Sequence, residues 1–199
     1  MIRFLIYSLC LVSFFSCKSY QPVADFKAKR QVIENTYFAD LEQEYIYTVS
    51  ISAFKNNVSG LLVIKAIDNT KHRILLATEF GNTLLDLTIT PNGYIKNYAM
   101  ADLDRKIILN VLANDFFVLL NKKWESDAFY SIKDKSIYKV KIKNKKYFLS
   151  YSKGILNTIE YVNRKKKLEI YFENVFQDSA QQIKLKHYNL DLSIDMIRI

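Results

Sequence analysis

The sequence predicts a mainly β domain: a strongly curved antiparallel sheet of about eleven strands, with one long amphipathic helix and a short N-terminal helix packed on its concave side. Three observations lead there. Apolar and polar residues alternate with period two through two long stretches, 45–98 and 136–197, cut by turn residues. Between them, 107–120 switches to helical spacing and is the most apolar periodic segment beyond the N-terminus. So many strands seldom stay flat; they curl or close.

The chain opens with Arg3, an apolar run over 4–15, and then Ser16, Cys17 and Lys18. A single charge before a short apolar core is an export signal, too short for a spanning helix, which needs ~20 apolar residues. A cysteine directly after the core resembles the bacterial lipobox, with Phe14 at the position where leucine is usual. By that resemblance 1–16 is a signal peptide and Cys17 is the lipidated new N-terminus that anchors the chain to a membrane. The alternative is an ordinary signal cut nearby, with Cys17 incidental. Residues 17–30 then read as a polar tether with Pro22 and several lysines. The single domain is 31–199.

The elements follow in order. Val32, Ile33, Tyr37 and Leu41 fall at spacings near four and suggest the short helix within 27–41. Tyr45, Tyr47, Val49 and Ile51 alternate with polar residues as a first strand. Strands over 59–64, 72–80, 83–90 and 94–98 complete a meander, with an Asn92-Gly93 hairpin turn whose residues accept positive φ. Asp102 or Asp104 is placed to cap the long helix. Its apolar side is read as Ile107, Ile108, Val111, Leu112, Phe116, Leu119 and Leu120. Six further strands fill 136–197, with Leu168, Ile170 and Phe172 on a dry face and Ile194 and Met196 on another.

Composition limits the function classes. From Cys17 onward 183 residues remain (199 less 16), enough for one cored domain. The two cysteines are Cys10, inside the signal, and Cys17, so the body holds no disulfide. Lys and Arg number 29 against 20 acids, a net charge of +9. That suits anionic headgroups or acidic envelope polymers, although richness in Lys, Asn, Ile, Tyr and Phe also fits coding bias. His72 and His187 lie in separate strands and read as structural. No nucleophile motif, phosphate loop or metal-ligand spacing is present, so no catalysis, metal or cofactor is expected. Lysines interleaved with aromatics around 143–151 could bind single strands of nucleic acid in a cytosolic protein. Behind an export signal they are expected to be sheet-packing pairs, and Arg164 to Lys167 a charged turn tip.

Ser59-Gly60-x-Leu62, a strand ending at Glu79-Phe80-Gly81-x-x-Leu84, the hairpin at Asn92-Gly93 and the amphipathic helix behind it form an ordered combination. Over about 32–120 this order resembles the lipoprotein-localisation carrier and receptor superfamily (LolA/LolB-like), closer to its outer-membrane receptor branch. The resemblance implies an unclosed β-barrel, helices lining its mouth, and an apolar cavity for acyl chains of lipids or lipidated proteins. It implies a lipid-anchored monomer on the periplasmic side of the outer membrane, served by a periplasmic carrier. Cavity residues would be Leu62, Ile64, Leu76, Leu85, Ile108, Leu112 and Phe116. Phe80 would be the membrane-contacting residue of its loop; the other reading has it ending a strand and pointing inward. Glu79 stands where that family has proline. The rival class is a structural or adaptor lipoprotein that works through its surface.

Overall fold

A computed structural model of the chain describes residues 25–27, 30–53, 56–176 and 179–199. The expected signal peptide, Cys17 and most of the tether lie outside the described residues. In chain order the elements are β1 (Asp25–Lys27), β2 (Gln31–Glu34), β3 (Glu44–Ala53), β4 (Asn56–Ala66), β5 (His72–Ala77), β6 (Thr83–Thr90), β7 (Gly93–Ala99), α1 (Lys106–Leu120), β8 (Lys123–Ile132), β9 (Lys135–Ile142), β10 (Lys145–Ser152), β11 (Ile155–Asn163), β12 (Lys165–Phe176), β13 (Ser179–His187) and β14 (Leu192–Arg198).

The 14 strands among the described residues belong to one sheet, in the order β1-β8-β9-β10-β11-β12-β13-β14-β3-β4-β5-β6-β7, with β2 also on β8. Every pairing is antiparallel. The two meanders are therefore fused where the last strand meets β3, with Ile194 opposite Ile51. The sheet does not close: β7 ends one side, and β1 and β2 end the other. The expected class holds, a large curved antiparallel sheet with a single long helix among the described residues.

Four local expectations change. The short N-terminal helix is not there: Gln31–Glu34 is a strand, with Ile33 buried and Val32 exposed. β-Branched residues side by side favour extended backbone, and Ile33 faces inward as one of an alternating set. What occupies the concave side next is irregular chain. Asn35, Tyr37 and Phe38 are buried there, Phe38 at a φ of 59°. Tyr37 stacks on Phe172 at 4.8 Å between centroids and donates its hydroxyl to the Leu156 carbonyl at 2.8 Å.

The second change is β8, a strand the sequence reading passed over. Glu125 and Asp127 obscure an alternation in which Trp124, Ser126, Ala128 and Tyr130 are all buried. The third is the helix start. Arg105 is the N-cap residue, and no side chain caps it. Asp104 instead takes Lys96 Nζ on both carboxylate oxygens at 2.8 Å. The β6–β7 turn also differs: Thr90 pairs with Gly93, so Pro91 and Asn92 form the loop and the positive φ, 144°, sits on Gly93.

Candidate functional site

The inward face of the sheet carries residues in register, packed beneath the helix and the 35–38 segment. Tyr47 lies opposite Leu62, Leu62 opposite Leu76, and Leu76 opposite Leu85, which makes one row across β3, β4, β5 and β6. Tyr45, Ile64, Ile74 and Leu87 form the neighbouring row. All eight are buried in one continuous apolar cluster. Burial in this low-dielectric setting pushes the Tyr47 phenol up to about 12.

Helix α1 lies against this lining and packs on β6 and β7. With 15 residues it spans about 22 Å. Leu109, Leu112, Ala113, Phe116, Leu119 and Leu120 enter the same cluster. The expected cavity residues Leu62, Ile64, Leu76, Leu85, Leu112 and Phe116 are thus brought together, and Ile108 packs at the cluster's margin, half-buried. Ile107 is the exception on the helix: it was read as apolar-face and is 74% exposed. The buried face is rotated toward Leu109 and Ala113, which sequence reasoning omitted.

Polar ties hold the helix over the hollow. Asn35 donates from Nδ2 to the Leu119 and Asn121 carbonyls at 3.3 Å each, closing the helix C-terminus where carbonyls have no intrahelical partner. Lys145 Nζ reaches Asn114 Oδ1 at 3.2 Å, and Lys143 Nζ stands 5.1 Å over the Phe117 ring. Between these, His187 Nε2 lies 2.7 Å from Asp115 Oδ2. The sequence placed His187 alone on a strand; the fold gives it a carboxylate partner.

At one end of the sheet the 78–82 turn projects from β5 and β6. Gly81 N donates to the Thr78 carbonyl and Asn82 N to Thr78 Oγ1, so the turn is internally bonded. Gly81 takes a φ of 84°, which suits glycine. Phe80 at its tip is 93% exposed, so it does not point into the core. Directly behind the turn, Gly60 lets two backbones meet: a Cβ there would stand 2.0 Å from the Ala77 carbonyl oxygen.

Two other polar groupings sit on strand faces. Arg73 donates from Nε and an Nη to the two Asp86 oxygens, and Asn97 bonds Asp86 and Thr88. The Arg73 hydrogen bond holds the Asp86 carboxyl below its ordinary value. Lys166 is paired with both Glu160 and Glu169, which stand opposite each other on β11 and β12. Among the described residues no three His, Cys, Asp or Glu side chains are grouped to hold a metal, and no helix is long and apolar enough to cross a membrane. A surface cleft of about 440 Å³ between Arg30, Gln31, Val32, Glu125, Ser126 and Asp127 lies at the β2–β8 edge, away from the apolar rows.

No protein-family model matches the chain, and no curated protein matches it. Solved structures do. A LolA superfamily protein from Nitrosomonas europaea aligns with a TM-score of 0.53 over 83% of this chain and 88% of its own, at 8% identity. A DUF1329 family protein from Desulfovibrio piger aligns with a TM-score of 0.45, 7% identity, over 81% and 85%. A domain assigned to outer membrane lipoprotein sorting, from Vibrio parahaemolyticus, aligns with 0.41, 11% identity, over 78% and 83%. The chain shares the fold of the first of these, the fold that its strand and helix order resembles.

Proposed function

We propose that this chain is a lipid-anchored envelope protein whose half-barrel hollow receives acyl chains, from lipids or lipidated proteins, at the periplasmic face of the outer membrane. One observation carries the reading: a continuous apolar lining covered by one helix, α1, in a fold shared with a LolA superfamily protein. The work would be transfer by burial. Each methylene taken from water contributes ~0.8 kcal/mol, so a chain leaves a periplasmic carrier for a drier site and leaves that site for the bilayer. No cofactor or bond-making step is required, and the protein acts as a receptor rather than an enzyme. Cys17 supplies the anchor, and Phe80 the contact with the membrane.

Native purification followed by lipid mass spectrometry tests this. A stoichiometric acyl species lost in Leu112→Trp supports the carrier reading. A chain that purifies free of lipid, and takes up none from micelles, refutes it. Anchoring is tested separately: Cys17→Ala is expected to abolish fatty-acid labelling and release the protein from membranes.

A second reading has its own observation. Tyr37 and Phe38 pack into the hollow against Phe172, Tyr45 and Tyr47, which suits a filled sheet acting as a structural or adaptor lipoprotein through its surface. A lipid-free protein that still fractionates with an envelope complex would favour it.

A further inference from the structure

We propose that the strand tips at one end of the β9–β14 half-sheet form a cationic surface that docks on an anionic lipid headgroup layer. Three successive hairpin connections end there: β9 to β10, where Ile142 pairs with Lys145; β11 to β12, where Asn163 pairs with Lys165; and β13 to β14, where Lys186 pairs with Ser193. Neighbouring tips are two strands apart, about 10 Å. They carry Lys143, Lys146, Arg164, Lys165 and Lys186, all exposed.

The acids at this end are mostly already engaged. Glu160 and Glu169 are held by Lys166, and Glu169 also accepts from the Tyr188 hydroxyl. Asp115 is inside with His187. Asp191 in the β13–β14 connection remains, exposed, as does Glu79 beside Phe80 in the 78–82 turn. Among the described residues no ion pair involves Lys146, Arg164, Lys165 or Lys186.

Two features favour a lipid layer over a soluble polyanion. Tyr188, 49% exposed, sits among the cations, with Lys166 and Lys186 5.6 and 5.4 Å from its ring centre. An aromatic ring with a polar hydroxyl suits the boundary between headgroups and acyl chains. Following the strand order onward, β14 to β3, β4, β5 and β6, the 78–82 turn with exposed Phe80 belongs to the same end of the sheet. A headgroup layer answers charge and ring together; a polymer in water answers only the charge.

The test is flotation of the full chain carrying Cys17→Ser, which removes any acyl anchor, with vesicles of equimolar phosphatidylglycerol and phosphatidylcholine or of phosphatidylcholine alone. Binding to the anionic vesicles only, weakened by salt, is expected. Each tip cation near the surface is worth roughly fivefold in affinity, so Lys146→Glu/Arg164→Glu/Lys165→Glu is expected to weaken binding by about a hundredfold or more, and Lys165→Glu alone by at least about fivefold. Lys133→Glu/Lys135→Glu/Lys153→Glu makes the same charge change at the opposite tips and is expected to stay within about threefold. Equal loss in the two triple variants would reduce the effect to net charge and overturn the proposal. So would binding of polyphosphate at the tips without vesicle binding. Neither outcome depends on the hollow holding an acyl chain.

Discussion

His187 Nε2 on β13 lies 2.7 Å from Asp115 Oδ2 on α1, and the two side chains are 8% and 2% exposed. This polar contact inside an otherwise apolar packing joins the helix to the half-sheet opposite the one it rests on. Burial, the larger influence, raises the Asp115 carboxyl above the ordinary carboxylate value, and the His187 hydrogen bond opposes that. Asn114 and Lys145 face the same spot. A carboxyl raised in the folded state binds its proton more tightly folded than unfolded. Its stabilising contribution is complete below the ordinary carboxylate value and is lost as pH rises through the folded one.

Asp115→Asn removes that titration. The melting temperature of the variant relative to the parent is therefore expected to improve steadily as pH rises from about 4 toward neutrality. A gap that stays constant with pH would show that Asp115 does not titrate with folding. His187→Ala, which removes the 2.7 Å partner of the buried carboxyl, is expected to cost about 1–3 kcal/mol in urea unfolding.

Gly60 and Ala77 define the second prediction. Gly60→Ala would bring a methyl group 2.0 Å from a backbone oxygen that belongs to the strand leading into the Phe80 turn. Neither partner is a flexible side chain, so β4 or β5 must shift. The expected loss is about 1–3 kcal/mol of stability, with amide chemical-shift changes concentrated at 77–82. Unchanged stability would mean that the backbones separate freely there.

The Gly60 contact also shows what was legible in the sequence. Ser59-Gly60 entered the sequence reading only as part of the family resemblance, and a glycine inside an apolar strand is a signal of close backbone approach. Facing was readable only in part: 61–64, 74–76 and 84–85 are apolar at successive positions, and it is the register across β3 to β6 that puts Leu62, Ile64, Leu76 and Leu85 on one inward face. The helix was harder. Ile107 and Ile108 are both apolar, and only contact with β6 and β7 decides that Ile107 faces out. The absent N-terminal helix was a short-window coincidence: Ile33 from a strand, and Tyr37 from irregular chain, both point inward at a spacing of four. Asp115 and His187 each stood on an inward register, with Leu112 and Leu119 on the helix and Ile183 and Leu185 on the strand. They are 72 residues apart, and no local pattern joins such a pair.

Asn35 supplies the third prediction. Its amide bonds the last carbonyls of α1 from a position 84 residues before Leu119. Asn35→Ala leaves the Leu119 carbonyl buried and unpaired, at an expected cost of about 1–3 kcal/mol. If this tie holds the helix down, hydrogen exchange in 117–121 should accelerate more than exchange in β4 and β5. Uniform acceleration across the chain would instead mark a purely global loss of stability.

The fourth prediction separates exposure from structure at Phe80. The side chain is 93% exposed on a turn closed by its own hydrogen bonds, from Gly81 N to the Thr78 carbonyl and from Asn82 N to Thr78 Oγ1. Removing the ring takes nothing from the core, so Phe80→Ser is expected to change unfolding free energy by no more than about 0.5 kcal/mol. An apolar ring that inserts among headgroups gains by burial at about 25 cal/mol per Å², so the same variant should lose affinity for vesicles. On anionic vesicles that loss should be of similar fold size at low and at raised salt, because it is not electrostatic. A Phe80→Trp variant should restore binding and report insertion through a blue shift of its fluorescence. If Phe80→Ser binds vesicles as the parent does, the projecting turn has some other partner than a membrane.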